Sequence, residues 1–341
     1  MSVESNKIIF LSRLLAQDAS FLSYSEKITF YKFLLTNEES EPFKSCSEFE
    51  DRFLSLNIDS ISFCVKRVLN RVKWKPVESL KKAKLALKII DAQRIKSTCI
   101  LDADYPAMLR CINDPPFLLF YRGNLKILNR KCVSVVGTRR ATPSALKAAS
   151  DFSKSACDDG LSVISGLAFG IDAASHKGAL LSENAATVAV LPSGIDTIAP
   201  ATHTRLAAKI LERGGLIMSE YLPGTPAVQF RFVERNRIVA ALSPVTLVVQ
   251  APSGSGAMIT AGLALDYNRE LVFHAECFSG QAEKINQMTL EELKKLSLQG
   301  KNVAYKLENN PQKYVDDGAK VIKSYADFVE QLPAVLCQYQ A

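Results

Sequence analysis

Five stretches, each read as a strand-to-helix junction, concentrate residues able to hold a phosphate-bearing ligand. They are Gly137-Thr138-Arg139-Arg140, Ser165-Gly166-Leu167-Ala168-Phe169-Gly170-Ile171-Asp172, Pro192-Ser193-Gly194-Ile195-Asp196, Arg235-Asn236-Arg237 and Ser253-Gly254-Ser255-Gly256. Glycine admits a ligand close to the backbone, arginine offers a planar fork of donors, and serine and asparagine add neutral donors. Each stretch also has a plainer reading. A glycine after a strand serves the turn, Asp172 serves as a helix cap, and Arg235 and Arg237 pair with Glu220 or Glu234 on the surface. Phe169 is expected to face outward from its loop, where a ring can stack on a base.

Catalytic signatures do not accompany these loops. G-x-x-x-x-G-K-[S/T], the phosphate loop, does not occur in the chain. VVGTRRATPSA lacks the second and third glycines of a dinucleotide fingerprint. There is no G-x-S-x-G nucleophile elbow, and Ser-Gly-Ser-Gly comes with no evident His-Asp relay. The three histidines, His176, His203 and His274, form no H-x-x-x-H or H-E-x-x-H pair. The eight cysteines contain no C-x-x-C. They are therefore read as reduced packing residues, and no metal or cofactor is expected. Binding is favoured over catalysis.

The elements that must position these loops follow from hydrophobic periodicity. KCVSVVG reads as a strand, Thr142-Pro143 as an N-cap with proline at the first helical position, and Gly160 as the end of the helix that follows. LSVIS, TVAVLP, LIMSEY, VTLVVQA and ELVFHA alternate with GIDAASHKGALL, THTRLAAKILERGG, FVERNRIVAALS and SGAMITAGLALDYNR. Short apolar strands separated by helices of about ten to fifteen residues predict an α/β fold with a parallel sheet covered on both faces. Ligands of such sheets bind beyond the carboxyl ends of the strands, where all five stretches are expected to converge. The expected organisation is a small all-α domain over 1–98, a Rossmann-like domain over 99–277, and an insertion with a closing segment over 278–341.

Charge sets the amino-terminal part apart. The chain carries +7 overall, yet Lys66 to Lys96 alone holds eleven basic residues against Glu78 and Asp91. Such a stretch suits a polyanion. It equally suits a solvated helix face, with Leu80, Leu85, Leu87, Ile89 and Ile90 forming the apolar side. Trp74-Lys75-Pro76 is expected to break the helix. The first residues lack the long apolar run and cleavage site of a secretory signal, and no run of about 18 apolar residues occurs. A cytoplasmic protein is expected.

The ordered motifs SVVGTRRATPSA, SGLAFGIDAASHKGAL, GGLIMSEYLPGTP, FVERNRIVAALS and SGAMITAGLAL resemble the DprA/Smf family of DNA-processing proteins over about 105–275, and NPQKYVDDGAKVI does so more faintly. The resemblance implies an extended Rossmann fold that binds single-stranded DNA, forms a homodimer and passes the strand to the RecA recombinase in natural transformation. Residues it carries over are Gly137, Thr138, Arg139, Ser165, Gly166, Gly170, Asp172, His176, Arg235, Asn236, Arg237, Ser255, Gly256 and Thr260; Arg140, Phe169 and Lys177 complete the expected DNA-binding set. The chain departs from the family pattern at Val233 and Glu234 before Arg-Asn-Arg, at Ala257, and at Glu276-Cys277, where the insertion opens. The alternative is a nucleotide-ligand enzyme or sensor of the related lysine-decarboxylase-like Rossmann group, whose P-G-G-x-G-T loop precedes a glutamate that Ser-Gly-Ser-Gly-Ala-Met-Ile-Thr lacks.

Overall fold

The computed structural model describes residues 3–36, 43, 45–56 and 61–332. Five helices lead the chain: α1 (Val3–Asp18), α2 (Tyr24–Leu35), α3 (Cys46–Leu54), α4 (Phe63–Val72) and α5 (Pro76–Gln93). Lys73 takes a left-handed φ of 50° after α4, and Pro76 opens α5 at its first turn, so the chain breaks where Trp74-Lys75-Pro76 predicts. Ser79, Leu80, Ala83, Ala86 and Ile90 turn inward from α5. Leu85, expected on the apolar side, instead stands 55% exposed.

Next come β1 (Lys96–Cys99), α6 (Ala107–Arg110) and β2 (Leu118–Gly123). The alternating part is β3 (Cys132–Val136), α7 (Pro143–Asp158), β4 (Ser162–Ser165), α8 (Ile171–Ala179), β5 (Thr187–Val190), α9 (Thr204–Glu212), β6 (Leu216–Ser219), α10 (Gln229–Ala241), β7 (Val245–Val248), α11 (Gly256–Asp266) and β8 (Glu270–His274). The carboxyl-terminal part is α12 (Gly280–Leu298), α13 (Ala304–Glu308), α14 (Pro311–Asp316), β9 (Lys320–Ile322) and α15 (Tyr325–Gln331).

The nine strands among the described residues form one sheet in the order β1-β2-β6-β5-β4-β3-β7-β8-β9. The seven from β6 to β9 run parallel, as the alternation requires. β1 and β2 are antiparallel additions on the β6 side, and β9 extends the other edge. None of these three is among the expected strands, and β1 and β2 depart from the expected parallel sheet as well. Their segments are short, and what makes them strands is an available edge with unpaired N–H and C=O groups.

Alternation along β3 sorts the two faces. Val133 and Val135 point into a core with Ala145, Ala149 and Phe152 of α7, Ile171 of α8 and Phe328 of α15. Ser134 points the other way and donates from its hydroxyl to Val239 O of α10 at 2.6 Å. The second core joins α10 and α11 to the amino-terminal helices, including Leu14, Leu15, Phe30 and Ile90. Arg13 of α1 clamps Asp102 bidentately at 2.8 and 2.6 Å, and Gln17 donates to Glu220 O at 2.6 Å. The helices are thereby fastened to the sheet.

Order switches between β3 and β7, the point at which such sheets open a crevice beyond the strand ends. Thr142 caps α7 by accepting from Ala145 N, Pro143 occupies its first turn, and Gly160 follows its end with φ 83°. Seven described cysteines are free thiols. Cys99, Cys132, Cys157 and Cys277 are buried as packing residues, whereas Cys64 and Cys111 are exposed, contrary to that reading. Cys337 lies outside the described residues. No described helix is long and apolar enough to cross a membrane.

Candidate functional site

Two loops meet at the carboxyl edge of β3 and β4. Gly170 makes this possible: with φ 76°, a Cβ there would fall 2.2 Å from Thr138 O, so a side chain would drive the loops apart. Around their junction lies a depression of about 620 Å3 lined by Arg139, Arg140, Lys147, Phe169, Lys177 and His203, among others. Phe169 is 47% exposed, its ring edge-on to His203 with centroids 4.9 Å apart. His203 is held by its Nδ1–H, which donates to Leu167 O at 2.8 Å, a geometry that fixes its tautomer. Leu167 pays for that orientation with a left-handed φ of 58°, a strained conformation for a residue with a branched side chain and one that clusters at functional sites.

Arg139, Arg140 and Lys177 are exposed, and no described carboxylate forms an ion pair with any of them. Arg139 lies over the ring of Phe232 at 4.8 Å, so one face of its guanidinium is stacked and its edge donors stay free. Lys147 pairs with Asp151 at 2.5 Å. The result is a cationic surface with a stacking ring in it.

Several residues expected to touch a ligand lie beneath this surface. Arg235 is 3% exposed, and its guanidinium donates to Gly166 O and Val190 O. Burial lowers its pKa to about 10, against the pull of Asp172, so it is still a cation at neutral pH. Asp172 accepts from Gly166 N and Ala168 N at 3.2 and 3.3 Å, binding back to the loop before its helix. Burial raises the Asp172 pKa, with Arg235 and the two amides opposing. Arg235 thus holds the Gly166 carbonyl while Asp172 holds the Gly166 and Ala168 amides. A Cβ at Gly166 would lie 2.5 Å from the Arg235 guanidinium, so a side chain there would displace that group from its two carbonyls.

His176 is fully buried, with Nδ1 2.7 Å from Thr187 Oγ1, whose own hydrogen goes to Val163 O. Nδ1 is therefore the protonated nitrogen, Nε2 has no described partner, and burial lowers the pKa to about 3. Ser165 is buried with its hydroxyl on Val135 O, and Thr260 bonds back to Gly256 O within α11. These residues shape the edge from within rather than lining it.

Arg235-Asn236-Arg237 is not a strand-to-helix junction; it lies inside α10. At about 100° per residue, consecutive side chains leave the helix in different directions. Asn236 reaches the first residue of α11, with Nδ2 donating to Gly256 O at 3.2 Å. Arg237 points away from the depression, pairing with Glu220 and lying 3.5 Å from Asp114. Burial opposes its charge, but Glu220 and Asp114 outweigh that and raise its pKa. The pairing with Glu220 expected of a surface pair is made, but in a half-buried position. Arg237 lines a separate cleft of about 1150 Å3 with Lys27, Lys82, Tyr221 and Phe230.

Ser253-Gly254-Ser255-Gly256 leads into α11. Ser255 Oγ has no described partner, and Gly256 is exposed at the helix start, where amides are unpaired within the helix. Thr138 N donates to Gln250 O at 2.7 Å and Thr142 N to Gln250 Oε1 at 2.8 Å, so Gln250 closes the switch point itself. Pro192-Ser193-Gly194-Ile195-Asp196 is committed internally: Asp196 accepts from Gly224 N, and Ser193 donates to Thr197 O. Sequence reading passed over His203, Phe232 and Lys147. Only Lys147, four residues from Asp151 on a helix face, carried a spacing signal.

A family model, DNA recombination-mediator protein A, matches residues 96–333. The chain belongs to this family. It is 35% identical to the protein Smf of Borreliella burgdorferi over 216 residues, which is 63% of this chain and 68% of that relative. For the Smf proteins of Escherichia coli and Synechocystis, at 40% identity each, the match spans less than half of their length. The structure resembles DNA processing protein A from Streptococcus pneumoniae at a TM-score of 0.63 and 25% identity, covering 97% of this chain and 99% of that one. DNA processing protein A from Helicobacter pylori, solved to describe its single-stranded DNA binding mode, shares the fold at a TM-score of 0.55 and 24% identity over 71% of this chain and 96% of that one. The family-model match begins at β1, so the five leading helices lie outside that match.

Proposed function

We propose that this family member binds single-stranded DNA along the carboxyl edge of its sheet, as a binding protein rather than a catalyst. The observation that carries the reading is the depression where Arg139, Arg140 and Lys177, free of carboxylate partners, surround the exposed ring of Phe169. Unpaired cations attract a phosphate backbone, and an aromatic face accepts any base, the combination by which single strands are held without sequence preference. The phosphate contacts assigned here are those of Arg139, Arg140 and Lys177, while Gly137, Thr138 and Gly170 let the loops that carry them pack together. Asn236, Ser255 and Gly256 supply neutral donors farther along. Arg235, Asp172, His176, Ser165, Gly166 and Thr260 support the loops from below, and Arg237 belongs to the neighbouring cleft.

In this reading the protein acts as a cytoplasmic homodimer and passes the strand to the RecA recombinase during DNA uptake. Membership of a recombination-mediator family supports that assignment. Fluorescence anisotropy with a labelled oligonucleotide, competed by unlabelled single strand, blunt duplex of equal length or free nucleotides, tests the ligand. Single strands should compete far better than the other two. Equal competition by duplex rejects the reading, and superior competition by a nucleotide transfers the site to the small-ligand alternative. Sedimentation showing only a 37.5 kDa species at tens of micromolar, a concentration on the order of moderate affinities, rejects the dimer.

A further inference from the structure

The loop after β7 does not end at α11; it is covered by a part of the chain absent from the motifs that carry the family resemblance. Asn286 of α12 accepts from both Ser253 N and Ser253 Oγ, at 2.8 and 2.7 Å. Gly254 N donates to Asn309 O at 2.8 Å. A Cβ at Gly254 would fall 2.5 Å from the Cβ of Lys306, so α13 lies directly on this loop. Val303 is buried beneath α13, while Tyr305 is 56% exposed. The Lys306 ammonium stands 5.8 Å from the Tyr305 ring centre and has no ion pair with a described carboxylate.

A continuous series of contacts links this pair to the depression. Gly170, next to Phe169, rests on the Thr138–Arg139 backbone, and Arg139 stacks on Phe232 at 4.8 Å. Phe232 and Asn236 are one turn apart on α10, hence on one face. Asn236 bonds Gly256 O at 3.2 Å, and Gly254, two residues earlier, carries Lys306. The line crosses from β4 past β3 to β7, adjacent strands about 4.8 Å apart. It bears cations and rings at both ends and uncharged donors between them.

We propose that Tyr305 and Lys306 form an outlying subsite for single-stranded nucleic acid, the ring stacking on a base and the ammonium meeting a neighbouring phosphate. A strand seated at Arg139 and Phe169 runs past Gly256 onto α13, and the 280–308 segment lengthens the binding track. The subsite rests on the edge reading given above.

The test is affinity as a function of length, with oligothymidylates of roughly 4, 8 and 16 nucleotides, spanning the range of common site sizes. Wild-type protein, Tyr305→Ala, Tyr305→Phe, Lys306→Gln and Arg139→Ala are compared, each shown to be folded by its melting curve. Tyr305→Ala should lose about five- to tenfold in affinity for the longest strand and nothing for the shortest, the lower end of the loss for one stacked base. Tyr305→Phe should bind every length as wild type does. Lys306→Gln should lower the salt slope for the longest strand by about 0.7. If Tyr305→Ala matches wild type at every length while Arg139→Ala is weakened, α13 is off the track and the edge reading stands. If Arg139→Ala also binds as wild type, the edge reading fails and the subsite with it.

Discussion

Arg139 and Arg235 are of one residue type and close enough to interact electrostatically, yet substitution should fail in opposite ways. Arg235→Ala removes a guanidinium that is 3% exposed and donates to two carbonyls, Gly166 O and Val190 O. It also removes the cation that offsets the buried Asp172 carboxylate. Breaking a buried charge pair by deleting one partner costs about 3–5 kcal/mol. Against a total stability of about 5–15 kcal/mol, that is a large share, and it lowers Tm by roughly 10 °C in a domain of this size. Arg139→Ala removes an exposed side chain whose only described contact is a ring face, so stability should move by no more than about 0.5 kcal/mol. If Arg139 contacts phosphate, affinity falls by about 1.5–3 kcal/mol, roughly ten- to a hundredfold. Thermal unfolding followed by circular dichroism, paired with anisotropy on a labelled single strand, separates the two. Arg235→Ala that melts like wild type but no longer binds would show that Arg235 swings outward to the ligand, and the division of roles would be wrong. Arg235→Lys should lie between, because an ammonium is a point charge that cannot reproduce the planar fork.

Acid stability should report on His176. Its folded pKa, about 3, lies below the usual 6.5, so between those values the unfolded chain binds the proton and the folded one does not. Stability contributed by the neutral ring is therefore intact above about pH 6.5 and is lost as pH falls, by about 2 kcal/mol at pH 5. Denaturant melts at pH 7.5 and 5 should show that extra loss in wild type and a smaller one in His176→Gln; parallel losses would mean the ring protonates in place. On the helical part, Lys82 lies 3.4 Å from Asp18 and Lys84 2.6 Å from Glu50. Both are already countered and screened by salt within about 8–10 Å, so Lys82→Ala and Lys84→Ala should each weaken single-strand binding by less than about threefold at fixed salt. Losses equal to that of Arg139→Ala would move the binding surface to the helices.

Much of the site was legible because its loops follow strands whose positions the periodicity fixes. Gly137 to Arg140 and Phe169 to Gly170 do meet at one edge, as expected of loops beyond adjacent parallel strands. Arg-Asn-Arg was misplaced among the junctions although its segment reads as helix, and helical geometry alone forbids neighbours on a helix from sharing a direction. His203 gave no signal at all: it reaches the depression through a carbonyl bond to Leu167, 36 residues earlier.

By itself the sequence determined the parallel core, the caps of α7, the break before Pro76 and the order of the family motifs. These depend on local rules: apolar periodicity, the φ of proline and the capping power of a threonine hydroxyl. Only the tertiary structure decided which polar residues face out. Arg139 and Arg235 are equally basic in the sequence, but one ends on a loop over Phe232 and the other under the strand ends, where two carbonyls and a carboxylate stabilise its charge. The same holds for β1, β2 and β9, whose pairing was supplied by the sheet edges they met, and for α13, which lies on Gly254 because that glycine leaves room for Lys306. Burial is a property of the assembled surface, and no residue carries it in its identity.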